Sequence, residues 1–122
     1  MNQHGLILFA HGARDPQWAE PFLRLRDLTQ GRTPDARVTL AFLEMMTPTL
    51  PQQVAELVRA GCARITVVPL FLGQGGHVKR DLPLMLEQLK THYPGLDIQV
   101  AVAVGEDPRV LDAIADYCAG CG

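Results

Sequence analysis

The sequence predicts an α/β fold built on a parallel β-sheet. Four continuous apolar runs, rich in β-branched residues, are typical of strands that are covered on both faces. A helix signal follows each run, so the predicted order is β-α-β-α-β-α-β-α. This alternation favours parallel strands joined by right-handed crossovers, with four strands in one sheet.

The predicted strands cover residues 6–10, 38–43, 65–72 and 98–104. Three helix starts are indicated by a capping residue directly before a proline, at Asp15, Thr47 and Asp107. Asp81, two residues before a proline, gives a looser version of the same signal. Pro21 falls inside the first predicted helix and predicts a kink there.

Apolar residues at helical spacing predict the buried faces of the last three helices. The three stripes are Leu50, Val54, Leu57 and Val58; Leu82, Met85, Leu86 and Leu89; and Val110, Leu111, Ile114, Tyr117 and Cys118.

Composition narrows the class of protein. The chain has 122 residues, 48% of them hydrophobic and 20% charged, which suits one compact domain over residues 1–122. A net charge of −2 gives no broad reason to expect a nucleic acid or an anionic membrane as partner. No apolar run approaches the roughly 20 residues of a membrane span. Residues 1–4 lack the basic start of a signal peptide, so a cytoplasmic location is expected.

The chain has three cysteines, Cys62, Cys118 and Cys121. An odd number in a cytoplasmic protein argues against a disulfide framework. Cys118 and Cys121 form one C-x-x-C pair, but a structural zinc site would need a second pair. A frayed terminus is favoured over a metal or redox role for this pair, whose role stays open.

Three metal-binding side chains follow the first three predicted strands. His11, Glu44 and His77 are separated by 33 residues each time, about the length of one β-α unit. Ligands bind beyond the carboxyl ends of parallel strands, where these three side chains would emerge together. Two imidazoles and a carboxylate suit borderline divalent ions such as Co²⁺, Ni²⁺ or Fe²⁺. Each histidine alone is more often a hydrogen-bonded structural residue, and Glu44 alone could be a solvated loop carboxylate, but the three in register favour a metal site.

The surroundings predict a large anionic ligand. Residues 73–76 form a glycine-rich loop that such a ligand can approach, and the loop lacks the ending of a P-loop. Three basic residues near the same edge could hold carboxylates: Arg14, Lys79 and Arg80. An apolar wall could come from Phe42, Met45, Met46, Phe71 and Leu72, although core packing explains the two phenylalanines equally well.

Three segments resemble the class II chelatases in their short, single-domain form, that is, the sirohydrochlorin cobaltochelatases and their iron and nickel relatives. The segments are residues 8–16, residues 41–44 with Pro48, and residues 68–77 running on to 81–83. They span almost the whole chain in the order and spacing of that family. Ala13 stands where a serine is common, and the C-terminal cysteine pair is not part of the pattern.

The resemblance implies a flavodoxin-like three-layer fold, with the strands that precede His11 and His77 side by side. It implies that His11 and His77 bind the incoming metal and that Glu44 assists in the same pocket. The glycine-rich loop itself predicts that Gly75 and Gly76 border the substrate. The resemblance also implies a homodimer with the tetrapyrrole cleft between subunits, and no cofactor beyond the substrate metal ion, with Co²⁺ favoured over Ni²⁺ or Fe²⁺.

The activity predicted from this resemblance is the insertion of a divalent metal into sirohydrochlorin or a related tetrapyrrole, with release of two protons. His77 or Glu44 would accept the protons. One alternative is a non-catalytic protein that binds or delivers divalent metal on the same fold. A phosphoryl-transfer enzyme is a weaker alternative, because histidine phosphatases want an arginine where this chain has Ala10.

Overall fold

A computed structural model describes residues 3–122 and confirms the predicted parallel sheet. Its four strands are β1 (His4–Ala10), β2 (Ala36–Phe42), β3 (Arg64–Pro69) and β4 (Asp97–Val100), in the order β2-β1-β3-β4. All three strand pairs are parallel. β1 lies between β2 and β3, so the strands that lead to His11 and His77 are neighbours, as the resemblance implied.

Helices separate the strands along the chain. A short 3-10 turn (Pro16–Ala19) precedes α1 (Glu20–Arg32), and α2 (Leu50–Arg59) and α3 (Gly76–His92) follow β2 and β3. A second 3-10 turn (Val104–Glu106) leads into α4 (Pro108–Gly120). The predicted element order is therefore confirmed, and the chain has the three-layer α/β fold expected of it. No helix within residues 3–122 is long and apolar enough to cross a membrane.

Two apolar cores lie on opposite faces of the sheet. On one face, which we call the α2/α3 face, Ile7, Phe9 and Val67 are fully buried under both helices. On the other, the α1 face, Leu8 and Leu40 are buried and Phe22 of α1 packs against them. Because successive residues of a strand point to opposite faces, continuous apolar runs were needed to build both cores.

The predicted stripes of α2 and α3 are confirmed. Leu50, Val54 and Leu57 are buried in α2, and Val58 packs against the same core. Leu82, Leu86 and Leu89 are buried in α3, and Met85 is partly buried beside them.

The prediction that the stripe of α4 is buried is wrong. α4 forms as an amphipathic helix with Asp107 as its N-cap, but none of its residues is buried. Leu111, Ile114 and Tyr117 are 45%, 40% and 75% exposed.

Two predicted helix starts are also wrong. The Thr47–Pro48 peptide bond is cis and precedes the helix, and α2 begins at Leu50 with Thr49 as its N-cap. Thr49 forms a reciprocal capping box with Gln52, which satisfies two backbone N–H groups that would otherwise lack partners. α3 begins at Gly76, so Asp81 and Pro83 lie inside it rather than at its start.

Other local predictions were displaced by a few residues. Asp15 caps the 3-10 turn rather than α1. Pro21 lies in the first turn of α1, where a backbone N–H would have no partner within the helix, so the proline costs no hydrogen bond there. β3 and β4 end at Pro69 and Val100, which leaves residues 70–75 and 101–103 as loops at the carboxyl edge of the sheet. The prediction that residues 1–4 do not begin a signal peptide rests partly on Met1 and Asn2, which lie outside the described residues.

Candidate metal and tetrapyrrole site

The carboxyl edge of the sheet brings His11 and Glu44 together. His11 directly follows β1, and Glu44 follows the neighbouring strand β2. The Leu43 N–H donates to the Ala10 carbonyl over 2.8 Å, so the two chains stay paired up to the site. The His11 Nδ1 atom lies 3.0 Å from Glu44 Oε1, and both side chains remain 44% and 43% exposed.

This contact fixes the tautomer of His11. An ionised carboxylate can only accept hydrogen bonds, so the His11 Nδ1 atom carries the proton and donates it. In the neutral ring the other nitrogen, Nε2, then keeps its lone pair. A histidine held by a carboxylate in this way is the usual form of a metal-binding imidazole.

Gly12 allows the loops after β1 and β2 to approach this closely. Its backbone N–H donates to Glu44 Oε2 over 3.3 Å. A Cβ atom at Gly12 would lie only 1.8 Å from the backbone oxygen of Glu44, well inside any permitted contact. Met45, the residue after Glu44, has a positive φ of 67°, which turns the chain sharply at this point. The close approach of the two loops therefore depends on a residue without a side chain at position 12.

Two aromatic side chains hold the rest of the His11 loop. The Trp18 indole N–H donates to the backbone carbonyl of His11 over 2.8 Å. The Phe71 ring lies beneath the imidazole, with 4.6 Å between ring centroids. Phe71 is 2% exposed, so it forms a rigid base for His11. Trp18 was not among the predicted site residues, although an aromatic residue shortly after a strand-end histidine is a usable signal.

His77 does not join the His11–Glu44 pair. It is the second residue of α3, and the Arg80 guanidinium donates to its Nδ1 atom over 3.2 Å. Arg80 also donates to the Gly76 carbonyl over 3.3 Å. Among residues 3–122, no three histidine, cysteine or carboxylate side chains are close enough to hold one metal ion. The structure thus places two of the three predicted ligands together and the third at the same edge with a different partner.

The remaining predicted substrate residues are exposed but separate. Gly75 is the N-cap of α3 and Gly76 its first residue, and a Cβ atom at either would meet nothing within 4 Å. Arg14 is exposed on the loop after β1. Lys79 lines a cavity of about 630 Å³ between α3 and β4. Arg14 and Lys79 therefore lie in different surroundings, and of the three cations it is Arg80 that contacts a predicted metal ligand.

Exposed apolar side chains follow three of the strands at this edge. Met45, Leu72 and Val102 are 67%, 63% and 62% exposed. Of the predicted apolar wall, Phe42 and Phe71 are core residues instead. Val102 was not predicted, because residues 98–104 were all assigned to a strand. Three large exposed apolar groups at one edge of the sheet form a surface suited to a flat, apolar ligand.

The turn after β4 is locked to the loop after β3. The Gly105 N–H donates to the Phe71 carbonyl over 3.1 Å. A Cβ atom at Gly105 would lie 1.7 Å from the backbone oxygen of Leu72, so this contact also requires glycine.

Comparison with known proteins agrees with this architecture. The CbiX family model matches residues 5–119. A sirohydrochlorin cobaltochelatase of Saccharolobus solfataricus is 30% identical over 116 residues, which cover 90% of this chain and 89% of the relative. The cobaltochelatase of Methanocaldococcus jannaschii is 30% identical over 139 residues, covering 94% of this chain and 97% of the relative.

Two solved structures share the fold. A CbiX protein of Marinobacter aquaeolei matches with a TM-score of 0.84 and 35% identity, over 96% of this chain and 95% of the other. The sirohydrochlorin chelatase SirB of Bacillus subtilis, solved with cobalt, matches with a TM-score of 0.82 and 23% identity. That match covers 97% of this chain but only 50% of SirB, so this chain corresponds in length to half of SirB.

Proposed function

Because this chain belongs to the CbiX family, we propose that it is a chelatase that inserts a divalent metal ion, Co²⁺ in the first place, into sirohydrochlorin or a closely related tetrapyrrole. The observation that carries the proposal is the His11–Glu44 pair at the carboxyl edge of the sheet. It supplies one imidazole nitrogen with a free lone pair, on a ring that is 44% exposed and lies against Phe71.

His11 binds the incoming metal through Nε2 in this proposal. Its Nδ1–H stays on Glu44, which orients the ring and increases the electron density of the ligating nitrogen. The imidazole replaces part of the hydration shell of the ion and presents the ion to the macrocycle. Two pyrrole N–H protons leave as the metal enters: Glu44, already an acceptor, takes up one of them, and the second passes to water or to His77.

His77 acts as the second nitrogen ligand or as a proton acceptor only after Arg80 has moved. While Arg80 donates to Nδ1 of a neutral His77, the Nε2 atom of that ring carries the proton and has no lone pair to offer. Release of Arg80 by a substrate carboxylate would free Nδ1 at the moment when the tetrapyrrole is bound. Arg80 thus links substrate binding to the readiness of His77.

The macrocycle lies against Met45, Leu72 and Val102 in this proposal. Gly75 and Gly76 allow it to approach the backbone at the start of α3. Arg14, Lys79 and Arg80 bind its peripheral carboxylates through charge-assisted hydrogen bonds. A surface that holds the ring bent exposes its nitrogen lone pairs and stabilises the transition state more than the flat ground state.

The whole of residues 1–122 works as one chelatase domain in this proposal, as a homodimer in the cytoplasm, with the tetrapyrrole between two copies. The correspondence in length to half of SirB supports the dimer, since a second copy would supply the missing half. The metal ion is a substrate, and the reaction needs no further cofactor.

The test mixes the purified protein with sirohydrochlorin and, in separate reactions, Co²⁺, Ni²⁺ and Fe²⁺, and follows the visible spectrum of the tetrapyrrole. We expect metallation above the spontaneous rate, fastest with Co²⁺. His11→Ala should lose the enzymatic part of the rate. His92→Ala, which changes an exposed histidine at the far end of α3, is the matched control and should keep it.

Two results would overturn the proposal. Equal rates for wild type and His11→Ala would remove His11 from the site. Metal binding by the wild type without any effect on the tetrapyrrole spectrum would instead support a metal-delivery protein on the same fold.

A further inference from the structure

The chain leaves the sheet at His11, so strand pairing alone does not fix the position of this residue. The end of β1 is tied to both of its neighbours, because the Leu43 N–H donates to the Ala10 carbonyl and the Leu70 N–H donates to the Phe9 carbonyl, each over 2.8 Å. His11 follows directly, in a loop of residues 11–15 that belongs to no helix or strand. Its carbonyl therefore needs a partner from another part of the chain.

That partner is the side chain of Trp18. The indole N–H donates to the His11 carbonyl over 2.8 Å and closes a loop across seven residues. Within residues 3–122, this is the hydrogen bond that the His11 carbonyl accepts. A buried or half-buried carbonyl without a donor is unfavourable, so the bond favours one position of the His11 backbone over the others open to a loop.

Trp18 is itself held at two points. Its backbone N–H donates to the Asp15 carbonyl over 3.0 Å, and the Asp15 carboxylate caps the same 3-10 turn by accepting the Gln17 N–H over 2.9 Å. Its ring lies against Phe22, with 5.7 Å between ring centroids. Phe22 in turn packs against the core on the α1 face of the sheet. The donor that holds His11 is therefore anchored to the core of the protein.

Three contacts act on different parts of His11. Glu44 accepts from Nδ1, Phe71 supports the ring, and Trp18 holds the backbone. The first two depend on the third, since a shift of the His11 backbone moves the imidazole away from both. A displacement of about 1 Å in a reacting or ligating group can cost about 100-fold in rate.

We propose that Trp18 is a positioning residue for metal insertion. Its indole N–H holds the backbone of His11 where the imidazole can donate to Glu44 and bind the metal ion through Nε2. The proposal rests on the metal-binding role of His11 in the proposed function and adds a residue that acts through His11. Because the Trp18 side chain is 44% exposed, the competing role is direct contact of its ring with the tetrapyrrole.

The first test is Trp18→Phe, which keeps an aromatic ring beside Phe22 and removes the N–H donor. We expect the Co²⁺ affinity of the free protein to fall roughly 10-fold in a calorimetric titration, as for the loss of other groups that support a metal ligand. The rate of metallation at limiting Co²⁺ should fall to the same extent, with an unchanged Michaelis constant for sirohydrochlorin. Tyr93→Phe, which removes a polar hydrogen from a ring at the far end of α3, is the matched control and should change neither quantity.

A second test removes the donor without changing the size of the side chain. The chain has one tryptophan, so an analogue supplied during expression enters at position 18 alone. 3-Benzothienylalanine has a sulfur atom in place of the indole N–H and should reproduce the loss of Co²⁺ affinity. 5-Fluorotryptophan keeps the N–H and should restore the affinity of the wild type.

A third test asks whether Trp18 acts through His11. In a His11→Ala chain, adding Trp18→Phe should leave the remaining Co²⁺ affinity unchanged, because two changes that remove one interaction are not additive. A general loss of structure would lower the affinity further, and circular dichroism and thermal unfolding would show it.

The results separate this proposal from the proposed function. Wild-type Co²⁺ affinity in the Trp18→Phe chain, or a further loss in the double variant, would overturn the positioning role. A raised Michaelis constant for sirohydrochlorin with unchanged Co²⁺ affinity would replace it with direct contact to the tetrapyrrole. Co²⁺ binding that depends on both Trp18 and His11, without any metallation of sirohydrochlorin, would support the positioning role and count against the proposed function alone.

Discussion

Glu44 accepts a hydrogen bond from His11 across two neighbouring loops, with 3.0 Å between His11 Nδ1 and Glu44 Oε1. The same carboxylate accepts the backbone N–H of Gly12 through its other oxygen. One side chain therefore fixes both the tautomer of the histidine and the conformation of the loop that carries it. His77, at the same edge of the sheet, has an arginine as its partner instead, which leaves the two histidines in opposite tautomers.

Replacement of Glu44 by glutamine should weaken metal insertion while leaving the fold intact. A glutamine side chain can still accept from His11, but it carries no charge to increase the electron density of the imidazole. Loss of such a supporting carboxylate typically costs 10- to 100-fold in metal affinity or activity. The measurement is the rate of cobalt insertion into sirohydrochlorin, with thermal unfolding as the control for stability. An unchanged rate would show that Glu44 does not act through His11.

Replacement of Gly12 by alanine should damage the site through the backbone. The new methyl group would lie 1.8 Å from the backbone oxygen of Glu44, so the two loops must separate. We expect a loss of roughly 1–3 kcal/mol in the free energy of unfolding, together with loss of the His11–Glu44 hydrogen bond.

Gly31→Ala is the matched control for this change. Gly31 lies in the last turn of α1, and a Cβ atom there meets nothing within 4 Å. This substitution should stabilise the protein by roughly 0.5–1 kcal/mol, because alanine favours the helix more than glycine does. Urea unfolding of the two variants should therefore move in opposite directions. A Gly12→Ala variant as stable and as active as the wild type would contradict the geometry of the site.

Replacement of Arg80 by methionine should make His77 a better metal ligand in the absence of substrate. Methionine keeps the apolar stem but removes the donor that occupies His77 Nδ1. We expect Co²⁺ to bind several-fold more tightly to the free protein, by calorimetric titration. The Michaelis constant for sirohydrochlorin should rise, because a cation for its carboxylates is lost.

Lys79→Met is the control for the Arg80 change, since Lys79 is the neighbouring cation but does not contact His77. It should leave the Co²⁺ affinity of the free protein unchanged. If both variants behave alike, net charge rather than the His77 tautomer controls metal binding.

Much of the fold was predictable from the sequence because its signals are local. The apolar runs predicted all four strands, and apolar spacing predicted the buried faces of α2 and α3. The start of α2 was missed because Thr47 directly precedes Pro48, whereas Thr49 lies two residues before Pro51. The reciprocal hydrogen bonds of Thr49 with Gln52 decide between the two threonines. The stripe of α4 predicted an apolar helix face, but periodicity cannot say whether the covering surface belongs to the same chain.

The candidate site was predictable in its residue types but not in its pairings. The separation of 33 residues between His11 and Glu44 predicted that both lie at one edge of the sheet, and they do, since the strands before them are neighbours. The Arg80–His77 contact was within reach of sequence reasoning, because residues three apart in a helix are neighbours. The close approach of Gly12 to Glu44 was not, since it depends on a contact between two loops 32 residues apart.

The stability of the protein should fall on acidification below about pH 6.5 because of His4, at the edge opposite the site. His4 Nε2 lies 2.8 Å from Thr66 Oγ1, and the Arg64 guanidinium donates to His4 Nδ1 over 3.4 Å. Burial lowers the pKa of His4 from the usual 6.5, the charge of Arg64 lowers it further, and Asp97 partly offsets both effects. The unfolded chain therefore binds a proton at a higher pH than the folded chain does. His4 contributes its full stabilisation above pH 6.5, and this contribution declines as the pH falls from there toward the folded-state pKa. Urea unfolding at a series of pH values should show a shallower decline for His4→Gln than for the wild type, and parallel curves for the two proteins would show that His4 is not responsible.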